Sequence, residues 1–309
     1  MSFDRLIARI VETGNPTVVG LDPKLDYIPE HIKEAAFQEH GNTLRGAAEA
    51  FLTFNKGIID AVCDIVPAVK PQCAYYEMLG YEGMRALYET IQYAKSRGMF
   101  VITDGKRNDI GSTMEAYAVA HLGEISINGA VAEPFGGDAL TVNGYLGTDG
   151  IKPLLGICNA KDKGIFALVK TSNPSSGELQ DREIDGEAVY SIMAGMCEAW
   201  GAESMGQYGY SAVGAVVGAT YPAQLAELRK KAPHTFFLVP GYGAQGGTAA
   251  DVAGAFDEKG LGAIVNSSRA ILTAWKKQNV PGEEYAAAAR NEAIRMRDDI
   301  TQYIPKITL

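Results

Sequence analysis

The sequence predicts an α/β fold of the (β/α)8 TIM-barrel class, with residues 1–309 forming a single domain, and three observations carry that expectation. Eight short, nearly continuous apolar runs recur at 17–22, 65–70, 99–104, 139–143, 165–170, 213–218, 235–240 and 262–266. Such runs suit parallel strands buried on both faces. Stretches of helical period separate them at 43–62, 82–97, 112–122, 184–203, 222–232, 248–259 and 268–277, and a helix at 283–301 follows the last run. Six of the runs end in a polar or charged residue: Asp22, Lys70, Asp104, Asn143, Lys170 and Asn266. In a barrel the C-terminal strand ends share one mouth, where catalysis occurs. An open doubly wound sheet is the competing arrangement for the same alternation.

Before the first run, Phe3, Leu6, Ile7, Ile10 and Val11 fall at helical spacing, interrupted by Asp4, Arg5, Arg9 and Glu12. That pattern predicts an amphipathic N-terminal helix and not a signal peptide. Two connections are long, 23–42 after the first run and 171–184 after the fifth. Extended βα loops in barrels belong to the active-site face. No Pro/Gly/Ser-rich linker divides the chain, and no segment approaches the ~18 apolar residues that span a bilayer.

Composition bounds the function. The net charge of −9 and pI near 5.1 argue against a nucleic-acid or anionic-membrane surface. An anionic ligand must therefore be captured by a few local cations. Cys63, Cys73, Cys158 and Cys197 show no CxxC or Cys/His spacing and read as small buried hydrophobes of a reducing, cytoplasmic compartment. His31, His40, His121 and His234 are scattered, so no metal-ligand cluster and no metal site is expected.

The richest stretch runs from Thr103 to Thr113, TDGKRNDIGST. Asp104 and Lys106 stand two apart at a strand end, and in extended structure such side chains share a face. Lys70 ends the neighbouring strand, ~4.8 Å away in a parallel sheet. Asp109 follows at the start of a helix. The expected result is an alternating Lys–Asp–Lys–Asp array in which each charge holds its neighbours ionised. Such an array offers a fixed ammonium to a developing carbanion. A buried ion-pair network that only stabilises the barrel is the alternative reading of the same spacing.

The pattern Asp-x-Lys-x-x-Asp-Ile-x-x-Thr after a strand resembles the signature of the orotidine 5'-phosphate decarboxylases. Asp104, Lys106, Asp109, Ile110 and Thr113 occupy every signature position, and Val69-Lys70-Pro71 supplies the lysine of the preceding strand. The resemblance extends from Val19-Gly20-Leu21-Asp22 to Ser268-Arg269 and is closest to the longer bacterial branch. It implies decarboxylation of orotidine 5'-phosphate to uridine 5'-phosphate in de novo pyrimidine biosynthesis, with no metal or organic cofactor. Lys70, Asp104, Lys106 and Asp109 would be catalytic, Lys106 protonating C6. It also implies a homodimer in which Asp109 and Thr113 reach into the partner's site.

The remaining binding residues follow the barrel's own logic and the same resemblance. The segments after runs seven and eight, Pro240 to Gly247 and Asn266 to Arg269, are where barrels frequently bind phosphate. Gly241, Gly243 and Gly246 fall in GxGxxG spacing, but too late in the chain for a dinucleotide fingerprint. The resemblance assigns Gln245 and Arg269 to the phosphate, Asp22 to a ribose hydroxyl and Ser172, in the fifth loop, to the base. Ser267-Ser268 departs from the Gly that many relatives carry before the Arg. The competing functions are a magnesium-dependent sugar-phosphate decarboxylase or aldolase of the same superfamily and a non-catalytic phosphosugar-binding barrel.

Overall fold

The computed structural model describes residues 2–243 and 246–309. Eight parallel strands close into a barrel. They are β1 (Thr17–Leu21), β2 (Ala68–Pro71), β3 (Phe100–Arg107), β4 (Ala139–Val142), β5 (Gly164–Lys170), β6 (Val213–Val217), β7 (Phe237–Val239) and β8 (Ala263–Ser267). Each pairs with its neighbours in sequence, and β1 pairs with β8 to close the ring. Helices separate the strands, so the expected alternation is realised and the open sheet is excluded.

The apolar side chains form two bodies. One lies between the strands and the surrounding helices. The other fills the barrel from below, where Phe3, Leu6, Ile7 and Ile10 of the N-terminal helix Ser2–Thr13 meet Ala68, Phe100, Phe166 and Phe236 near the strand starts. The Phe3 ring sits 4.8 Å from that of Phe166 and 5.4 Å from that of Phe236. The amphipathic helix therefore plugs the N-terminal end of the barrel and leaves the C-terminal mouth open for chemistry.

Several elements differ from expectation for physical reasons. A helix at Thr148–Lys161 joins β4 to β5 where none was expected. Gly150, Pro153 and Gly156 lower its propensity, but Ile151, Leu154 and Cys158 bury one stripe and hold it. The long segment after β1 contains the helix Glu30–His40, which packs on Leu44–Val62 and buries Ile32 and Ala36, with Phe37 against Gly46. The helix expected at 184–203 starts later, at Val189, because a two-residue hairpin of Glu183–Ile184 with Glu187–Ala188 precedes it. The stretch 248–259 holds only one helical turn, Ala249–Val252, and a 3-10 turn, Ala253–Ala255.

Two bulges matter most for the mouth. On β5, Val216 of β6 faces Leu168 while Val217 faces Lys170, so Val169 is an extra residue. A bulge reverses the inside–outside alternation beyond it. Leu168 lines the cleft, whereas Lys170 turns out between the helices. Asn143 also leaves the cleft, its Oδ1 accepting from the Tyr145 amide at the start of a 3-10 turn. The expected convergence of six polar strand ends therefore reduces to Asp22, Lys70, Asp104 and Asn266.

Candidate active site

The barrel mouth holds a cleft of about 960 Å³. Its charged lining comprises Lys24, Lys70, Lys106 and Arg269 against Asp22 and Asp104. An acidic protein thus places an excess of positive charge in one concavity, as capture of an anionic ligand requires.

Asp104 is the hub. Its Oδ2 accepts from Lys70 Nζ at 2.8 Å and from Gln72 Nε2 at 3.0 Å. Its Oδ1 accepts from Lys106 Nζ at 2.7 Å and from Thr141 Oγ1 at 2.8 Å. Burial would push this carboxyl up, but the two ammonium groups outweigh that and hold it well below the usual carboxylate range. Burial opposes the charge on Lys70 as well, yet Asp104 and Asp22 raise it to about 12. Lys70 Nζ lies 4.0 Å from Asp22 Oδ1. Lys70 and Asp104 are only 4% and 6% exposed, whereas the Lys106 side chain is 44% exposed at the mouth. The deep pair is fixed and the outer ammonium faces the space a ligand would fill.

The backbone achieves this by a route that simple alternation does not describe. Thr103 pairs with Leu140 and Arg107 with Val142, so three residues of β3 stand opposite the single Thr141. Lys106 takes up the slack in left-handed conformation, with φ of 47°. Its amide donates to Thr141 Oγ1 at 3.0 Å. A non-glycine residue held there stores strain on the order of 1–3 kcal/mol, a common feature of functional sites.

At the other end of the cleft, Gly241, Tyr242, Asn266, Ser267, Ser268 and Arg269 line the wall built by the loops after β7 and β8. Gly20 of β1 makes this wall possible. A Cβ there would fall 1.8 Å from Ser268 Oγ and 3.0 Å from Asn266 Oδ1. Asn266 Oδ1 and Asp22 Oδ1 are buried in the protein without a hydrogen-bond partner. Two acceptors that take no hydrogen bond, in residues lining one cleft, suit a ligand that brings hydroxyl or N–H donors.

Of the expected site residues, Asp22, Lys70, Asp104, Lys106, Ser172 and Arg269 line this one cleft. Asp109 does not join the array of its own chain. Its Oδ1 accepts from the Ile110 amide, and Thr113 is exposed on the helix Gly111–Leu122, outside the cleft. Asp109 lies past the end of β3, and within one chain Asp22 supplies the second carboxylate near Lys70. Gln245 lies outside the described residues. Gln72, Thr141 and Lys24 were not foreseen. Thr141 could have been, because a lone hydroxyl in a buried apolar strand requires a partner. Lys24 stands 5.4 Å and 5.7 Å from the Tyr27 and Tyr75 rings and carries no sequence signal. Among the described residues no cluster of three or more His, Cys, Asp and Glu side chains could hold a metal ion.

The model of the orotidine 5'-phosphate decarboxylase / HUMPS family matches residues 47–281. The chain belongs to that family. A relative named orotidine 5'-phosphate decarboxylase from Rhodopirellula baltica is 48% identical over 285 residues, 92% of this chain and 91% of that one. One of the same name from Clostridium tetani is 43% identical over 98% of this chain and 99% of the relative. The solved OMP decarboxylase of Leishmania donovani superposes with a TM-score of 0.74 at 29% identity, covering 98% of each chain. The family's match begins within the helix Leu44–Val62 and ends beyond Arg269, so every cleft-lining residue named above except Asp22, Lys24 and Tyr27 falls inside it.

Proposed function

We propose that this chain decarboxylates orotidine 5'-phosphate to uridine 5'-phosphate in de novo pyrimidine biosynthesis, in the cytoplasm, as one barrel domain that uses no metal or organic cofactor. The observation that carries the reading is the Lys106 ammonium, 2.7 Å from Asp104, in the same cleft as Arg269. Arg269 anchors the phosphate by charge-assisted bonds, Asp22 takes a ribose hydroxyl and Ser172 takes the base. Gln245 belongs to the phosphate grip in the same scheme. Anchoring energy from these remote groups is used at the pyrimidine ring. The bond from C6 to the carboxyl carbon breaks, its electron pair stays on C6 and CO2 departs. The Lys106 ammonium stabilises that carbanion and then transfers a proton to it, leaving a neutral amine that is reprotonated from solvent. Lys70 keeps Asp104 ionised, and Asp104 keeps the Lys106 ammonium in place. The test is loss of orotidine 5'-phosphate absorbance with and without a chelator. Equal rates in both support the reading. Loss of activity with chelator assigns the chain to magnesium-dependent chemistry instead.

Arg269→Ala is expected to raise KM about a hundredfold, the worth of ~3 kcal/mol of charge-assisted bonding. Steady-state kinetics should show the loss shrinking for a substrate without the phosphate. Unchanged kinetics would remove Arg269 from the phosphate site.

The proposed enzyme is a homodimer with shared sites. Asp109 and Thr113 lie outside their own cleft, and Ile110 between them is half exposed. Both facts suit a surface that a second copy covers. A variant forced to remain monomeric should be inactive. Full activity in a monomer verified by sedimentation refutes sharing.

A further inference from the structure

Lys170 ends β5 with 0% of its surface exposed, yet it takes no part in the cleft. Its Nζ donates to Asp181 Oδ1 at 2.5 Å and to Ser176 Oγ at 3.4 Å. The ammonium lies 4.3 Å from the centre of the Tyr221 ring and 5.6 Å from that of Tyr190. A buried ammonium needs such partners, and all of them but the two tyrosines belong to the loop that follows β5.

That loop forms one wall of the cleft, through Thr171, Ser172, Asn173, Pro174 and Gln180. Its two ends are clasped beside Lys170. The Thr171 amide donates to Gln180 Oε1 at 2.9 Å, and Gln180 Nε2 donates to Thr171 Oγ1 at 2.7 Å. The Gln180 amide donates to the Ser176 carbonyl at 2.9 Å. Ser172 is seated on Gly218, just past the end of β6, where a Cβ would fall 2.9 Å from the Ser172 amide. The clasp therefore fixes where Ser172 and Asn173 stand along the cleft wall.

We propose that Lys170 is a positioning residue: through Asp181 it sets the loop after β5 as a preformed wall of the cleft. This rests on the nucleotide reading of the cleft given above. A loop ordered in advance spares the ligand the entropy of ordering it, so the benefit falls on binding and not on the step at C6.

Asp181, 43% exposed at its side chain, is the safer partner to alter. Asp181→Asn and Lys170→Met should each raise KM for orotidine 5'-phosphate about tenfold and leave kcat within about twofold. The double variant should lose no more than either single one, because both act through one contact. In the ligand-free protein, hydrogen exchange at the Thr171, Ser176 and Gln180 amides should quicken in both singles. A wild type that does not turn over this substrate refutes the nucleotide reading alone, and the exchange data then decide whether Lys170 orders the loop. Unchanged exchange and KM in Asp181→Asn, or losses that multiply in the double variant, overturn the proposal.

Discussion

Lys106→Ala is expected to lose turnover by on the order of 10⁴-fold or more while the protein remains folded. The size follows from two roles in one group. Removing a preorganised stabiliser of developing charge costs ~3–4 kcal/mol, and a positioned proton donor contributes a further 10²–10⁴-fold. The fold should tolerate the change, because Lys106 is the exposed member of its cluster. Without it, Asp104 still accepts from Lys70, Gln72 and Thr141. The left-handed backbone at Lys106 is also no better suited to alanine than to lysine, so the strain is unchanged. Thermal unfolding within a few degrees of wild type, together with absent turnover, is the expected pair of results. Turnover near the wild-type rate would assign the chemistry to another residue.

Asp104→Ala is expected to damage stability as well as activity. It removes the 2.8 Å partner of a lysine that is almost fully buried and leaves only Asp22, at 4.0 Å. Stripping one member of a buried ion pair costs about 3–5 kcal/mol, because the other charge stays behind without compensation. For a chain of this size that lowers Tm by roughly 5–10 °C. Pairing the change with Lys70→Met should restore much of the loss, since the buried ammonium is then gone and only the part-exposed Asp22 has lost a charged neighbour. The pH dependence has a definite sign at each end. Asp104 is depressed in the fold, so its contribution is present above the unfolded carboxyl value of 3.8 and fades as pH falls. Lys70 is raised, so its contribution is complete below 10.5 and is lost as pH rises through about 12. Calorimetry on the three proteins across that range should show the wild-type advantage over Asp104→Ala as a plateau that narrows at both ends. A single variant as stable as wild type would mean that Asp22 alone suffices for Lys70.

The legible parts of the molecule were those set by burial and period. Continuous apolar runs located all eight strands, and the plug of Phe3, Leu6, Ile7 and Ile10 was visible as one stripe of a helix. Lys70, Asp104 and Lys106 were found because strand ends converge at a barrel mouth, although the three residues from Asp104 to Lys106 reach it through a bulge and not by alternation. What was missed depends on register. Nothing in the composition of Leu168-Val169-Lys170 announces an extra residue, so Lys170 read as a rim cation and is in fact an outward-facing loop anchor. Asp109 and Thr113 stand outside their own cleft, which spacing along the chain does not announce and which agrees with the partner-facing role that the resemblance implies. The helix Thr148–Lys161 was hidden by two glycines and a proline, whose cost its buried stripe offsets.

The placement of a proton-donating ammonium at the reacting carbon can be tested without the substrate carboxylate. Uridine 5'-phosphate is incubated in D2O with saturating enzyme, and C6 deuteration is followed by NMR. Wild-type protein should exchange the C6 hydrogen far faster than buffer does, and Lys106→Ala should exchange it no faster than buffer. Exchange at the wild-type rate in the Lys106→Ala protein would contradict the assignment of Lys106 to that carbon.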